Sequence, residues 1–260
     1  MSLIRRQLWV ARRFNANVIC RGCERLLSRK TPPGAGGPAV VFAAHQDDET
    51  LACGGVIAIK RAACVPVNVV FITDGGKQAD LRPDGSVDPD YKALRKREAH
   101  RALAVRGVPE SDARFLDYPD GQLETLEGTR RRKLIATIAA VLKDSRPAEI
   151  YVPHRRDGHE DHDATHSLVR DALASIKLAP IVREYCIHRP WRSPLAAWQL
   201  LVSNHRVVRF PIRHVLEQKQ RALAEYPSQT AGFQPGFLNR FVLPYEIFYE
   251  APVGTTTSNV

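Results

Sequence analysis

"AAHQDDETLACGG", residues 43–55, places one histidine and three acids within five positions, directly after the apolar run Val40, Val41, Phe42 and ahead of a glycine pair. A second concentration, "YVPHRRDGHEDHDATH" at 151–166, holds four histidines and four acids behind another apolar run. Imidazole nitrogen and carboxylate oxygen suit borderline-soft zinc, and a catalytic zinc site uses three protein donors while keeping a fourth position for water. His45, Asp48 and His162 supply such a set. His159 and His162 are three apart, so a helix starting near Asp161 directs both rings to one point. Adjacent residues in a non-helical backbone point apart, which leaves Asp47 off the metal as a base for water. The oxyanion and the leaving amine then need a positive partner and a proton; His159, protonated and held by Asp161, is expected to serve both. A plainer reading competes, since Asp and Thr cap helices and acids favour the positive end of the helix dipole. Capping accounts for one acid and leaves His45 and the second aspartate unexplained.

These clusters need a scaffold that brings two loops together. Apolar runs at 39–45, 67–73, 113–118, 149–153 and 181–187 read as strands, several nearly continuous in Val, Ile and Phe, as strands buried on both faces are. Helix formers at helical spacing fill 50–64, 90–106, 126–144 and 162–177. The alternation predicts an α/β fold, a Rossmann-like three-layer α/β/α arrangement with a mostly parallel sheet. Both clusters then fall at carboxyl ends of strands, where such sheets bind ligands. Residues 190–260 are less regular, with a helix expected at 212–225, a Pro/Gly-punctuated stretch from Pro227 to Gly236, and a polar tail at 253–260 expected to be disordered.

The paired motifs "AHQDDETLACGG" and "GHEDH" resemble the LmbE-like, or PIG-L, superfamily of zinc-dependent N-acetylglucosaminyl deacetylases. The likeness extends over about 39–252 through "VVFITDGG", "LRKREAHRALAVRGV", "RFLDYPDGQL" and "LEQKQRALAEYPSQ". It implies zinc on His45, Asp48 and His162, Asp47 as general base and His159 as acid and oxyanion stabiliser, the same roles that the residue types suggest. It further implies an arginine from the second helix, here Arg97, and the aspartate of the "YPDG" loop, Asp120, near the substrate. Both have ordinary alternatives, an ion pair with Glu98 or Asp90 for Arg97 and turn chemistry for Asp120. Gln46 stands where the family usually has proline, adding a hydrogen-bonding group near the substrate. Asp157, two residues before His159, is placed to reach the metal or a sugar hydroxyl, Thr73 and Asp74 end a strand near the pocket, and His154 and His166 read as supporting or surface residues. The implied reaction is removal of acetate from an N-acetylglucosamine-containing small molecule or lipid-linked amino sugar, with Fe2+ as an alternative ion; hydrolysis of another amide on such a conjugate, or a non-catalytic binding role, are the competing readings.

Composition bounds the rest. With 260 residues and 44% hydrophobic content, one globular domain is expected. No apolar stretch is long enough to span a membrane and no secretory signal is evident, so a cytoplasmic enzyme is expected. Five scattered cysteines argue for reduced thiols, and the lone C-x-x-C of Cys20 and Cys23 lacks the second pair of a zinc ribbon. The net charge of +10 is unevenly spread: residues 1–30 hold eight Arg/Lys and one Glu, hence +7. That segment reads as a basic amphipathic helix, joined by the breaker-rich linker 31–38 to the body. It either packs on the body or contacts an anionic membrane peripherally; nucleic acid is the less favoured partner. Oligomeric state is not legible.

Overall fold

The computed structural model describes residues 18–19, 21–31, 36–77, 90–189, 206–234 and 236–250. Most of the N-terminal arm, including Trp9 and its first four arginines, lies outside the described residues, as do Cys20, linker residues 32–35 and the tail.

The strands are β1 (Arg29–Lys30), β2 (Ala39–Ala43), β3 (Val67–Thr73), β4 (Ala113–Tyr118), β5 (Glu149–Pro153), β6 (Ile181–Tyr185), β7 (Arg206–Pro211) and β8 (Tyr245–Glu250). The helices are α1 (21–27), α2 (Asp48–Ala62), α3 (Tyr91–Val105), α4 (Gly128–Ser145), α5 (Glu160–Ala174), α6 (Leu216–Ala224) and α7 (Pro227–Thr230). The strands form one sheet in the order β1-β7-β8-β6-β5-β2-β3-β4, in which β8 alone runs antiparallel to its neighbours.

Alternation along each strand builds two cores. Val41 and Ala43 pack with Leu51, Val56, Ala99, Leu103 and Leu223 on the α2, α3 and α6 side. Val40 and Phe42 pack with Leu134, Ile138, Leu168 and Val169 on the α4 and α5 side. All five residues of β2 are therefore buried, the signature of a central parallel strand covered on both faces. From β2 the chain winds outward through β3 and β4, then returns to the other side of β2 to lay down β5 and β6. The crevice between the β2 and β5 loops is the topological switch point, the ligand position in open parallel sheets.

The glycine pair of the first motif lets the C-terminal third press onto α2. A Cβ on Gly55 would sit 2.6–2.8 Å from Ile212 carbons, and one on Gly54 would sit 2.9 Å from Lys219 Cγ. Into that contact comes a buried ion pair, Lys219 Nζ to Glu246 Oε1 at 2.7 Å. Glu246 accepts from the Gly55 and Val56 amides (2.7 and 2.9 Å), while Lys219 donates to the Leu51 carbonyl at 2.8 Å.

The expected strands are present, with β2 and β6 each ending two residues earlier than read because the chain turns into site loops at Ala44 and Cys186. The reading of 190–260 as less regular needs one correction: β7 and β8 pair with each other over six residues each and extend the sheet, while the helix expected at 212–225 is present as α6 and the turn before it. Their charged residues hid them, since "RVVRFP" and "YEIFYE" lack the unbroken apolar run of a central strand.

Candidate active site

His45 to Asp48 turn sharply between β2 and α2. Asp47 has φ 136°, a conformation unfavourable for a side chain, and makes no capping hydrogen bond to the helix it precedes. Glu49 holds the turn: buried, it accepts from the Asp47 amide (3.1 Å), Thr50 Oγ1 (2.5 Å), the Tyr226 hydroxyl (2.8 Å) and Arg106 Nη2 (2.7 Å). Capping is thus not what Asp47 does; its carboxyl lines the cavity.

From the other side, α5 begins at Glu160 with His159 as its N-cap, the imidazole Nδ1 accepting from the Asp161 amide at 3.3 Å. One turn further, His162 faces His45. Three donor atoms meet there: His162 Nε2 lies 3.3 Å from His45 Nδ1 and 3.3 Å from Asp48 Oδ2, and His45 Nδ1 lies 3.6 Å from Asp48 Oδ2. Tetrahedral zinc with ligands at about 2.1 Å needs its donors about 3.4 Å apart. The triangle fits a divalent ion without rearrangement.

Each of the two imidazoles is oriented by carboxylates, and Asp48 Oδ2 accepts from the His45 amide at 2.9 Å. Asp157, fully buried, accepts from His162 Nδ1 at 2.8 Å and from the backbone amides of Ile187, His188 and Arg189. His45 Nε2 lies 3.2 Å from Asp120 Oδ1 and 3.2 Å from Asp161 Oδ2. Asp161 also accepts from Gly121 and Leu123 amides, and Gly121, at φ 76°, is the residue that lets the β4 loop turn back to do so.

The fields follow from this packing. Burial raises the Asp47 carboxyl to about 7, opposed by Arg95 and reinforced by Asp48. Against the cost of burial, Asp48 and Asp157 raise His162 to about 9. His45 is likewise raised against burial, by Asp120, Asp161 and Asp48. Burial, with the neighbouring His162 and His45, lowers His159 to about 4.

Several expectations require correction. Asp161 supports His45, not His159; His159 instead uses Nδ1 as an acceptor, so its neutral ring keeps a proton on Nε2. Arg97 is exposed on α3, two residues and about 200° round the helix from the buried face. Arg95 occupies that face with Tyr91, Glu98, Ala99 and Ala102, donates to the Gln46 and Gly75 carbonyls (2.5 and 3.2 Å) and lies 3.5 Å from Asp47 Oδ1. Gln46 is fully buried and donates to the Thr73 carbonyl, and Asp157 is fully buried, so neither reaches the cavity. Thr73 and Asp74 also lie behind it, bonded to the Ala44 carbonyl and to Lys92 respectively. Asp120 does line it, and His154 and His166 sit away at Glu184.

The cavity, about 240 Å3, is walled by His45, Asp47, Asp48, Asp120 and His159, by Lys77, Arg95, Gln229 and His188, and by Leu51, Ile187, Phe233 and Phe237. Sequence reading missed His188, Phe233 and Phe237. His188 carried a usable signal, since it follows a third strand end; the phenylalanines arrive from a loop after α7 that no local pattern ties to the site.

The sequence profile of the GlcNAc-PI de-N-acetylase family, PIG-L, matches residues 40–173, the segment from β2 to α5 that carries both clusters. The chain belongs to the PIG-L family. Among relatives in it, a probable N-acetyl-alpha-D-glucosaminyl L-malate deacetylase 2 of Bacillus anthracis is 31% identical over 51% of this chain and 57% of its own. A 1D-myo-inositol 2-acetamido-2-deoxy-alpha-D-glucopyranoside deacetylase of Mycobacterium leprae is 27% identical over 64% of this chain and 61% of its own, and one of Nocardia farcinica is 31% identical over 79% and 67%. The matches span about three fifths of the first two relatives' length. Among solved structures, N,N'-diacetylchitobiose deacetylase of Pyrococcus horikoshii superposes with TM-score 0.55 at 20% identity, covering 78% of this chain and 73% of that one. The 4-carboxy-2-hydroxymuconate hydratase GalB of Pseudomonas putida does so with TM-score 0.63 at 16% identity, covering 86% and 99%. The PIG-L fold of this chain is thus shared with enzymes of differing chemistry.

Proposed function

We propose that this chain is a metal-dependent N-deacetylase that releases acetate from an N-acetylglucosamine-containing compound. The observation that carries this reading is the His45, Asp48 and His162 donor triangle beside the Asp47 carboxyl that lines the cavity. Two imidazoles and one carboxylate with an open side favour zinc, with Fe2+ the alternative. A bound ion would polarise the acetamide carbonyl and acidify water in the open position.

The chain's own groups supply the remainder. Asp47, held near neutrality by burial, accepts the proton of the attacking water as oxygen bonds to the carbonyl carbon. His159 Nε2–H donates to the resulting oxyanion. Collapse breaks the C–N bond, the amine takes up the proton held by Asp47, and acetate and the free amino sugar leave. Arg95 fixes the Asp47 loop through the Gln46 carbonyl, while Asp157, Asp120 and Asp161 keep the ligand rings oriented. The deacetylase names of the relatives support the amino-sugar substrate.

Purified protein supplied with zinc or ferrous iron is expected to release acetate from at least one member of a panel of N-acetylglucosaminyl conjugates, and to stop when a chelator is added. No acid released from any conjugate with either ion would refute the reading. Release of an acid other than acetate, read by mass spectrometry, would redirect it to another amide.

A further inference from the structure

Exposed apolar side chains collect at one place. Among the described residues the exposed large hydrophobics are Val18, Ile19, Leu26, Leu27 and Ile181, so four of the five lie within residues 18–27. Leu26 is 85% exposed. Helix α1 is nevertheless held firmly by its other side: Glu24, buried, receives Arg240 Nη1 and Nη2 at 3.0 and 2.8 Å and the Tyr249 hydroxyl. Arg21 adds a bond to the Asn239 carbonyl at 3.2 Å. Residues 18–19 are helical as well; at helical period Ile19 and Leu26, seven residues apart, share a stripe about half a turn away from Glu24. The helix therefore docks through a charged residue and offers its apolar stripe outward, the reverse of ordinary core packing.

The stripe is flanked by charge of one sign. Arg25, Arg29 and Lys30 are exposed next to it along the chain, and Glu24, the one acid within residues 1–30, is paired with Arg240. Residues 1–30 together carry eight Arg/Lys against one Glu. We propose that α1 and its basic flank dock on an anionic lipid bilayer, the stripe entering the headgroup boundary and the cations contacting lipid phosphates. A second copy of the chain would oppose like charges across the stripe, and a nucleic acid duplex would leave Leu26 and Leu27 in water. The same docking bears on the substrate, a point that rests on the deacetylase reading. Asn239 and Arg240, which hold α1, follow Phe237, part of the cavity's apolar wall, so that wall is tied to the lipid-facing helix and suits a lipid-linked amino sugar.

The test floats the full chain with phosphatidylcholine vesicles and with vesicles containing roughly 30% phosphatidylglycerol, in low and high salt. Wild type is expected to float only with the anionic vesicles and to partition at least about tenfold less at roughly 0.5 M salt. The double variant Ile19→Ser, Leu26→Ser is expected to lose at least about fivefold in partitioning while keeping the wild-type melting temperature and metal content. Absence of flotation at low salt, equal flotation with neutral vesicles, or wild-type flotation by the variant would overturn the proposal. So would a dimer in light scattering that the variant abolishes, or RNA binding that competes out the vesicles. Because no substrate enters the assay, its failure leaves the deacetylase reading standing, and failure of acetate release leaves the docking standing.

Discussion

At the scale of single residues, two adjacent aspartates face different ways because the backbone turns between them. Asp48 opens α2 and points at His45 and His162; Asp47, at φ 136°, points into the cavity with a carboxyl that burial raises to about 7. Asp47→Asn is expected to retain metal content, measured by elemental analysis, and to lower acetate release by about 10²- to 10⁴-fold; an unchanged rate would remove Asp47 from the role of base. That His45, Asp47, Asp48, His159 and His162 would converge was legible because donor type and spacing put both clusters at the carboxyl ends of strands. The arginine was misplaced by two positions because Arg95 and Arg97 differ only in helical phase, and the "LRKREAHRALAV" stretch has so weak an apolar stripe that phase is set by tertiary contacts. Asp157 and Asp161 were recognised as belonging to the site, but their particular partners depend on loops converging from β4, β5 and β6, information absent from local sequence.

At the scale of elements, the first motif continues into a helix that must be approached closely. Gly55→Ala would drive a methyl group to within 2.6–2.8 Å of Ile212 and is expected to cost about 1–3 kcal/mol, read as a lower urea midpoint. Gly22, with nothing within 4 Å of a built Cβ, is the contrasting site, where alanine should be neutral or slightly stabilising. A Gly55→Ala protein as stable as wild type would show that α2 and the 212 segment are not in intimate contact. The five parallel strands and their helices were readable from period and composition. The antiparallel β8 and its partner β7 were not, since charged residues such as Glu246, Arg206 and Arg209 interrupt the apolar pattern, and Glu246 is buried only because Lys219 and two helix amides meet it.

At the scale of the whole molecule, the proposed metal triad joins the segments that follow β2 and β5, so an ion that binds only the folded chain would stabilise all of it. Saturating zinc at about 100 times its Kd should add about 2.7 kcal/mol and raise the melting temperature. The increment should depend on pH. His162 is raised from 6.5 to about 9 in the metal-free fold, so its proton stabilises that fold fully below about pH 6.5 and ceases to do so as pH rises through about 9. Metal needs the neutral ring, so the zinc-induced shift in melting temperature should be larger at about pH 8 than at about pH 6. Equal shifts at both pH values, by scanning calorimetry, would contradict the assignment of His162 as a ligand. No helix among the described residues is long and apolar enough to cross a membrane.

The clasp of Glu246 on the Gly55 and Val56 amides joins positions 191 and 190 residues apart. During synthesis, the helix that follows the histidine-aspartate turn must wait for almost the entire polypeptide to emerge before its exposed peptide groups find their carboxylate. Nascent chains stopped short of the last strand would therefore carry His45, Asp48 and His162 yet leave α2, which Asp48 opens, without its closing contact, so the donor triangle is completed late, with the closing segment.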